Sequence, residues 1–375
     1  MKNPMYDVVI VGGGLSGMRL AALLQAQGTN YLLLEARPRV GGRILSEPLV
    51  GNALATPHRY DLGPSWIWPQ QPRINELAKE MGIKRYPQFD QGTLVYQDQF
   101  GAINATIDAA PMSGSIRLEG GLQSLIDGLY SRLETDRVWL NHCVNNVTLV
   151  DTNEAPRHVC IDCESATGKK AITTRKLVLC APPRVVEKLI TFSPKLSPAQ
   201  NQALLNMPTW MAGQCKVTAV YETPFWRTQG LSGDGMSRLG PLGEIHDASP
   251  EDQSQGALFG FVAWPAQQRQ EAGDQLIPNV ITQLQQLFGP QAAAPLQVQV
   301  QDWATQTYTA TQADTHTSPS QSEFGLPIAL EQVWQDCLLF ACAEMAYEFG
   351  GVAEGALEAA EAAFGSLNLG QSSDS

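Results

Sequence analysis

Glycines, one carboxylate and a pair of guanidinium groups carry the first chemistry legible in this chain. Gly12-Gly13-Gly14-Leu15-Ser16-Gly17 spells G-x-G-x-x-G, and Glu35 follows 18 residues after Gly17. Gly12 permits a tight turn, Gly14 lets the backbone approach a pyrophosphate, and Gly17 lets a helix lie close on a strand. Unpaired N–H groups of Leu15 and Ser16 at a helix start, with the helix dipole behind them, attract phosphate. A carboxylate at the distance of Glu35 accepts hydrogen bonds from a ribose. Together these residues describe a grip on a dinucleotide, although a glycine turn followed by an incidental glutamate occurs in sheets with no ligand.

The elements that must position these groups are also visible. Val8 to Val11 is a short apolar, β-branched run of the kind found in a buried parallel strand. Leu20, Leu23 and Leu24 recur at helical spacing before Gly28, a residue that ends helices. Asn30 to Leu34 predicts a second strand, and Glu35 stands at its end. Strand, glycine turn, helix, strand and acid form the order of a dinucleotide-binding βαβ unit.

Glu35-Ala36-Arg37 continues into RPRVGGR, in which Gly41, Gly42 and Arg43 offer backbone N–H and guanidinium groups to a second phosphate contact. With Glu35, Arg37, Gly41, Gly42 and Arg43 in the pattern E-x-R-x-x-x-G-G-R, the chain resembles the flavin-containing amine oxidase superfamily. The resemblance implies an α/β fold: an FAD-binding Rossmann-type βαβ domain of the amine oxidase/glutathione reductase kind, with a second α+β substrate domain. It implies FAD, here non-covalent because Gln312 replaces the cysteine that links flavin in monoamine oxidases. It also implies a small-molecule amine substrate and molecular oxygen as partners, and oxidation of the C–N bond to an imine by hydride transfer to flavin N5, with hydrogen peroxide formed.

Further segments extend the resemblance and assign expected roles. Gly63, Pro64, Ser65 and Trp66 lie in YDLGPSWIW, a segment that in the family passes the flavin ring, with Trp66 facing the substrate. Val144 takes the position whose backbone pairs with adenine, and Trp303 matches the tryptophan beside the flavin. Near the C-terminus, Cys342, Ala343, Glu344, Gly351 and Val352 fall on F-A-G-x-E-x-A…G-G-Y-x-E-G-A, whose helix start points at the flavin pyrimidine edge.

The departures bear on the substrate. Cys342 replaces the motif glycine and Val352 an aromatic residue. Counting without gaps from Trp303, the residue that links flavin covalently in monoamine oxidases becomes Gln312, and its aromatic neighbour becomes Ala313. The lysine that holds a water near flavin N5 is expected near Pro265, beside Trp264, where the chain has none. The expected pocket is therefore lined by Trp66, Trp264, Ala313 and Val352, without an aromatic cage. Two other functions stay open on these grounds: a C–C dehydrogenase or desaturase, and a flavin-binding protein that has lost amine oxidation.

Composition narrows the class. The chain has 375 residues and a formal net charge of -12, which argues against a grip on nucleic acid or anionic lipid. No apolar run approaches the roughly 18 residues a membrane helix needs. The short lead-in to the first strand leaves no room for a signal peptide, so a cytoplasmic location is expected. Seven scattered cysteines suit reduced thiols, and Cys160 and Cys163 sit on opposite faces of a strand-like alternation rather than forming a metal pair. Residues 1–75, 116–195 and 305–366 are expected to form the FAD domain, 76–115 and 196–304 the substrate domain, and 367–375 a polar, frayed tail.

Overall fold

The computed structural model describes residues 5–49, 58–152, 155–315 and 324–367. All but the first residue of the expected polar tail falls outside them.

The Met5–Val11 strand lies inside an eight-stranded sheet, flanked in parallel by Tyr31–Leu34 and Gly168–Leu179. Its side chains alternate between two cores. Val8 and Ile10 join Met18, Leu20 and Leu24 of the Leu15–Ala26 helix, whereas Val9 and Val11 join the opposite core with Leu177 and Leu179. A parallel strand covered on both faces must be apolar throughout, which is why this run reads as continuous hydrophobe. The helix ends as expected: Gly28 stands just beyond it with φ +76°, the left-handed conformation that glycine adopts without penalty. The C-terminal strand Leu338–Phe340 adds in parallel to Gly168–Leu179 and leads to the Ala353–Ser366 helix, which packs on Leu15–Ala26.

A second sheet has seven strands, with Cys215–Tyr221 between Gln297–Asp302 and Gly256–Val262. A hairpin of Thr93–Gln97 and Ile103–Ile107 forms its edge. Two strands, Leu231–Ser237 and Leu242–Asp247, carry little sequence signal because glycine and aspartate disfavour strands; pairing with Thr93–Gln97 and Gly256–Val262 overrides that preference. Two helices, Ala266–Ala272 and Leu276–Phe288, are separated at Gly273, where φ is +49°. Among the described residues, no helix is long and apolar enough to cross a membrane.

Candidate cofactor and substrate cavity

The glycine turn leaves the first strand as a contact between backbones. A Cβ on Gly12, where φ is +109°, would stand 3.0 Å from the Cys180 carbonyl carbon, and one on Gly17 would overlap the Gly12 carbonyl oxygen. Gly17 thus serves helix–strand packing and does not line the cavity. Gly41 donates to the Gly13 carbonyl at 2.7 Å, and the Cα of Gly14 faces Gly42 so closely that a Cβ there would come within 3.2 Å. Two glycine segments distant in sequence are therefore fused into one cradle. At its floor the Leu15–Ala26 helix begins at Gly14 without a side-chain cap, leaving its first N–H groups free to meet an anion.

Glu35 is buried beside this cradle. One carboxylate oxygen accepts from Gly13 N at 2.6 Å and the other from Arg37 N at 2.8 Å, so the backbone holds the acid in place with lone pairs to spare for hydroxyls. The three arginines of this loop are engaged within the protein. Arg39 wraps onto the carbonyls of Val40, Gly42 and Ile44, and Arg37 donates to Thr309 Oγ1 at 2.7 Å. Arg43 is locked in a bidentate pair with Glu344, at 2.7 and 3.0 Å. Three cations thus shape the loop, and Arg37 and Arg43 also line the cavity beside it. Glu344 is fully buried behind Arg43 and does not reach the cavity.

A cavity of about 460 Å³ runs from this cradle toward the second sheet. Gly12, Gly14, Leu15, Ser16, Glu35, Ala36, Arg37, Gly41, Gly42 and Arg43 line it together with Val144. Gly63, Pro64, Ser65, Trp66, Trp303, Cys342, Ala343, Gly351 and Val352 line it as well. Trp303 is pinned by Nε1 donating to the Leu62 carbonyl at 2.9 Å. Ser16 Oγ donates to the Ala341 carbonyl and ties the helix start to the C-terminal strand. Burial pushes the Cys180 thiol up to about 12 and the Cys342 thiol well above its ordinary range, so both are inert as nucleophiles.

Two expected wall residues lie elsewhere. Asp314 is buried and bound by Arg184 at 2.7 Å and by Thr209 N at 3.1 Å, and the short turn it anchors presents Gln312 and Ala313 to solvent. Tyr308 and Thr309 line the cavity in their stead. Trp264 packs half-buried on the core of the second sheet, away from the cavity. A count without gaps fails at both places because the chain turns before reaching the site.

The same count concealed a lysine. Lys216 sits in Cys215–Tyr221 directly across from Phe261 and lines the cavity. Nζ donates to the Gly63 carbonyl at 2.9 Å and Ser65 Oγ at 2.5 Å and stands 3.8 Å over the Phe259 ring. Burial drives its pKa down to about 7; the Asp61 carboxylate opposes the shift and Arg117 adds to it. A lysine inside a strand whose seven residues are all buried was the signal available in the sequence.

Trp66 is braced from behind. Its Nε1 donates to Gln88 at 2.9 Å, and its ring meets His246 edge-on at 4.9 Å and Phe259 at 5.2 Å. His246 is buried between Asp234 and Glu244, each at 2.8 Å; burial disfavours its cation, but the two carboxylates outweigh it and raise its pKa. His246 does not line the cavity, so it serves Trp66 rather than a ligand.

The fit to FAD can be judged from this geometry. A backbone cradle that any side chain would fill, uncapped helix N–H groups, a backbone-held acid and an elongated cavity with aromatic walls suit a dinucleotide with a flat ring. Comparison with known proteins agrees. Residues 102–363 match the family described as flavin containing amine oxidoreductase, and residues 10–81 match an NAD(P)-binding Rossmann-like domain. The chain is 22% identical to a probable flavin-containing monoamine oxidase A of Dictyostelium discoideum, over 82% of this chain and 85% of that one. It is 24% identical to putrescine oxidase of Kocuria rosea, over 68% and 73%. Among solved structures it is similar to cyclohexylamine oxidase from Brevibacterium oxydans IH-35A, with a TM-score of 0.77, 18% identity and coverage of 97% and 99%.

Proposed function

The chain belongs to the flavin-containing amine oxidoreductase family and its cofactor is FAD; from that premise we propose that it oxidises the C–N bond of an amine to an imine at the Trp66–Lys216 end of the cavity. The observation that carries this reading is a buried lysine of near-neutral pKa at the far end of a cavity that begins at the glycine cradle. Gly14, Leu15 and Ser16 would hold the pyrophosphate, Glu35 a ribose, Val144 the adenine, and the start of the Ala353–Ser366 helix the flavin edge. When bound, FAD supplies the acceptor for the hydride leaving the carbon that bears nitrogen and passes the electrons to oxygen.

The chain's own residues do the positioning. Lys216 donates to Gly63 and Ser65, which leaves its third position, a donor in the cation and a lone pair in the neutral amine, for a water or for the substrate amine. With a pKa of about 7 it exchanges a proton at neutral pH without a large energetic cost. Trp66 and Phe261 supply an apolar platform for the substrate body. Cyclohexylamine oxidase and putrescine oxidase, to which the chain is similar, are named for amines that differ in shape and nitrogen count. The apolar walls here favour a bulky, substituted or secondary amine.

Anaerobic mixing with candidate amines tests the reaction. The flavin should bleach and the corresponding carbonyl compound should accumulate as the imine hydrolyses. Bleaching by a polyene or polycyclic hydrocarbon, with none by any amine, would replace amine oxidation with C–C dehydrogenation. The FAD should also leave intact on acid precipitation, and flavin retained in the pellet would contradict non-covalent binding.

A further inference from the structure

Trp210 belongs to a turn between the Pro198–Asn206 helix and the Cys215–Tyr221 strand, where the sequence pointed to no function. It lines the cavity and remains 41% exposed. Both ends of its peptide backbone are gripped by one ion pair: Trp210 N donates to Glu344 Oε1 at 3.0 Å, and Arg43 Nη1 donates to Trp210 O at 3.1 Å. Met211 follows with φ +59°, a conformation costly for a residue with a side chain; it too lines the cavity and is 38% exposed. Across the cavity rim, Gly351 has φ +82°, and a Cβ on it would stand 2.8 Å from Trp210 Cβ. The Phe324 ring packs T-shaped against the indole, with ring centres 6.2 Å apart.

Packing alone does not require such a grip on a large apolar side chain left so exposed. From these observations we infer that Trp210 is a specificity-determining residue, the aromatic wall for the amine's cationic end that Val352 does not supply. The Arg43–Glu344 pair is its clamp, and Gly351 is the clearance that admits it. The ring face attracts an ammonium by its quadrupole, and the indole adds apolar contact for the substituents on nitrogen. This inference rests on the amine oxidation proposed above.

The test is made on the FAD-loaded protein with two probes. Anaerobic reduction by cyclohexylamine gives an apparent Kd and a limiting rate. Binding of N,N,N-trimethylcyclohexylammonium, which cannot form an imine, is read from the perturbed flavin absorbance without turnover. In Trp210→Ala both dissociation constants should rise about tenfold, the effect of removing an aromatic wall from a desolvated cation. The limiting rate should change less than about threefold, since the ring is not asked to act in the transition state. Trp210→Phe should recover most of the loss, whereas Trp210→Leu, which fills the space without a ring, should not. Unchanged binding in Trp210→Ala, recovery by leucine equal to that by phenylalanine, a parallel loss of FAD affinity, or no binding of the quaternary ion by the unsubstituted protein would each overturn the assignment. If no amine reduces the flavin, amine oxidation itself falls, while the quaternary ion still decides the role of Trp210.

Discussion

The two ends of the cavity are built by different means. At the cofactor end, backbone meets backbone: Gly12 against Cys180, Gly14 against Gly42, Gly41 donating to Gly13, and amide groups holding Glu35. At the end proposed for the substrate, side chains from remote segments converge: Trp66 after the second glycine loop, Lys216 and Phe261 from paired strands, and Trp210 from a turn. Backbone contacts tolerate no added atom, so the first end is narrow in the sequences it accepts. Side-chain walls can be exchanged one at a time, so the second end is where a family with one cofactor changes its amine.

The largest expected effect breaks the cofactor end. Gly17→Val places methyl groups on the Gly12 carbonyl, and overpacking of about 3 kcal/mol or more should weaken FAD by roughly a hundredfold or prevent soluble holoprotein. Normal FAD binding by this variant, measured by reconstitution of the apoprotein, would show that the helix can move away from the strand.

Lys216→Met should leave FAD affinity intact and slow anaerobic flavin reduction by about a hundredfold or more, as expected for loss of a proton-handling group. In the unsubstituted protein the reduction rate should rise with pH through about 7, as Lys216 becomes neutral, and the variant should lose that step. Stability gives an independent check. The lysine's pKa falls from 10.5 when exposed to about 7 when buried, so between those values the unfolded chain binds more protons and stability rises with pH. Lys216→Met should flatten that slope; an unchanged slope would mean that the ammonium is not desolvated.

Glu35→Ala sharpens the contrast from the other side. Loss of the carboxylate should weaken FAD by about 1–3 kcal/mol, with the ribose hydroxyls and the Gly13 and Arg37 amides left without their partner. The limiting reduction rate of FAD-saturated protein should stay within about twofold, because the acid touches no reacting atom. Equal FAD affinity would make Glu35 a turn-forming residue only.

This division also explains what could be read from the sequence. The first strand, its helix and Glu35 were legible because each role depends on residues within one short stretch, where glycine conformations and hydrophobic period act locally. Arg43 was legible as a residue but its pairing was not, since its partner Glu344 is 301 positions away. Ala313 and Trp264 were misplaced by counting along the chain: Asp314 anchors a turn that faces Ala313 outward, and Trp264 packs on the core of the second sheet. Lys216 was passed over because its neighbour in space, Phe261, is not its neighbour in sequence. The strand Leu231–Ser237 went unread because its two glycines signal a loop until cross-strand pairing is known.

The most direct test of the substrate end is stopped-flow reduction of the FAD-loaded protein, without oxygen, across amines of graded bulk. The walls described here predict the fastest reduction with a large cyclic or secondary amine. Trp66→Ala should slow that reaction by about fivefold, the loss of one well-packed aromatic contact, with FAD affinity unchanged. Fastest reduction by a benzylamine-sized substrate, or no change in Trp66→Ala, would contradict the account.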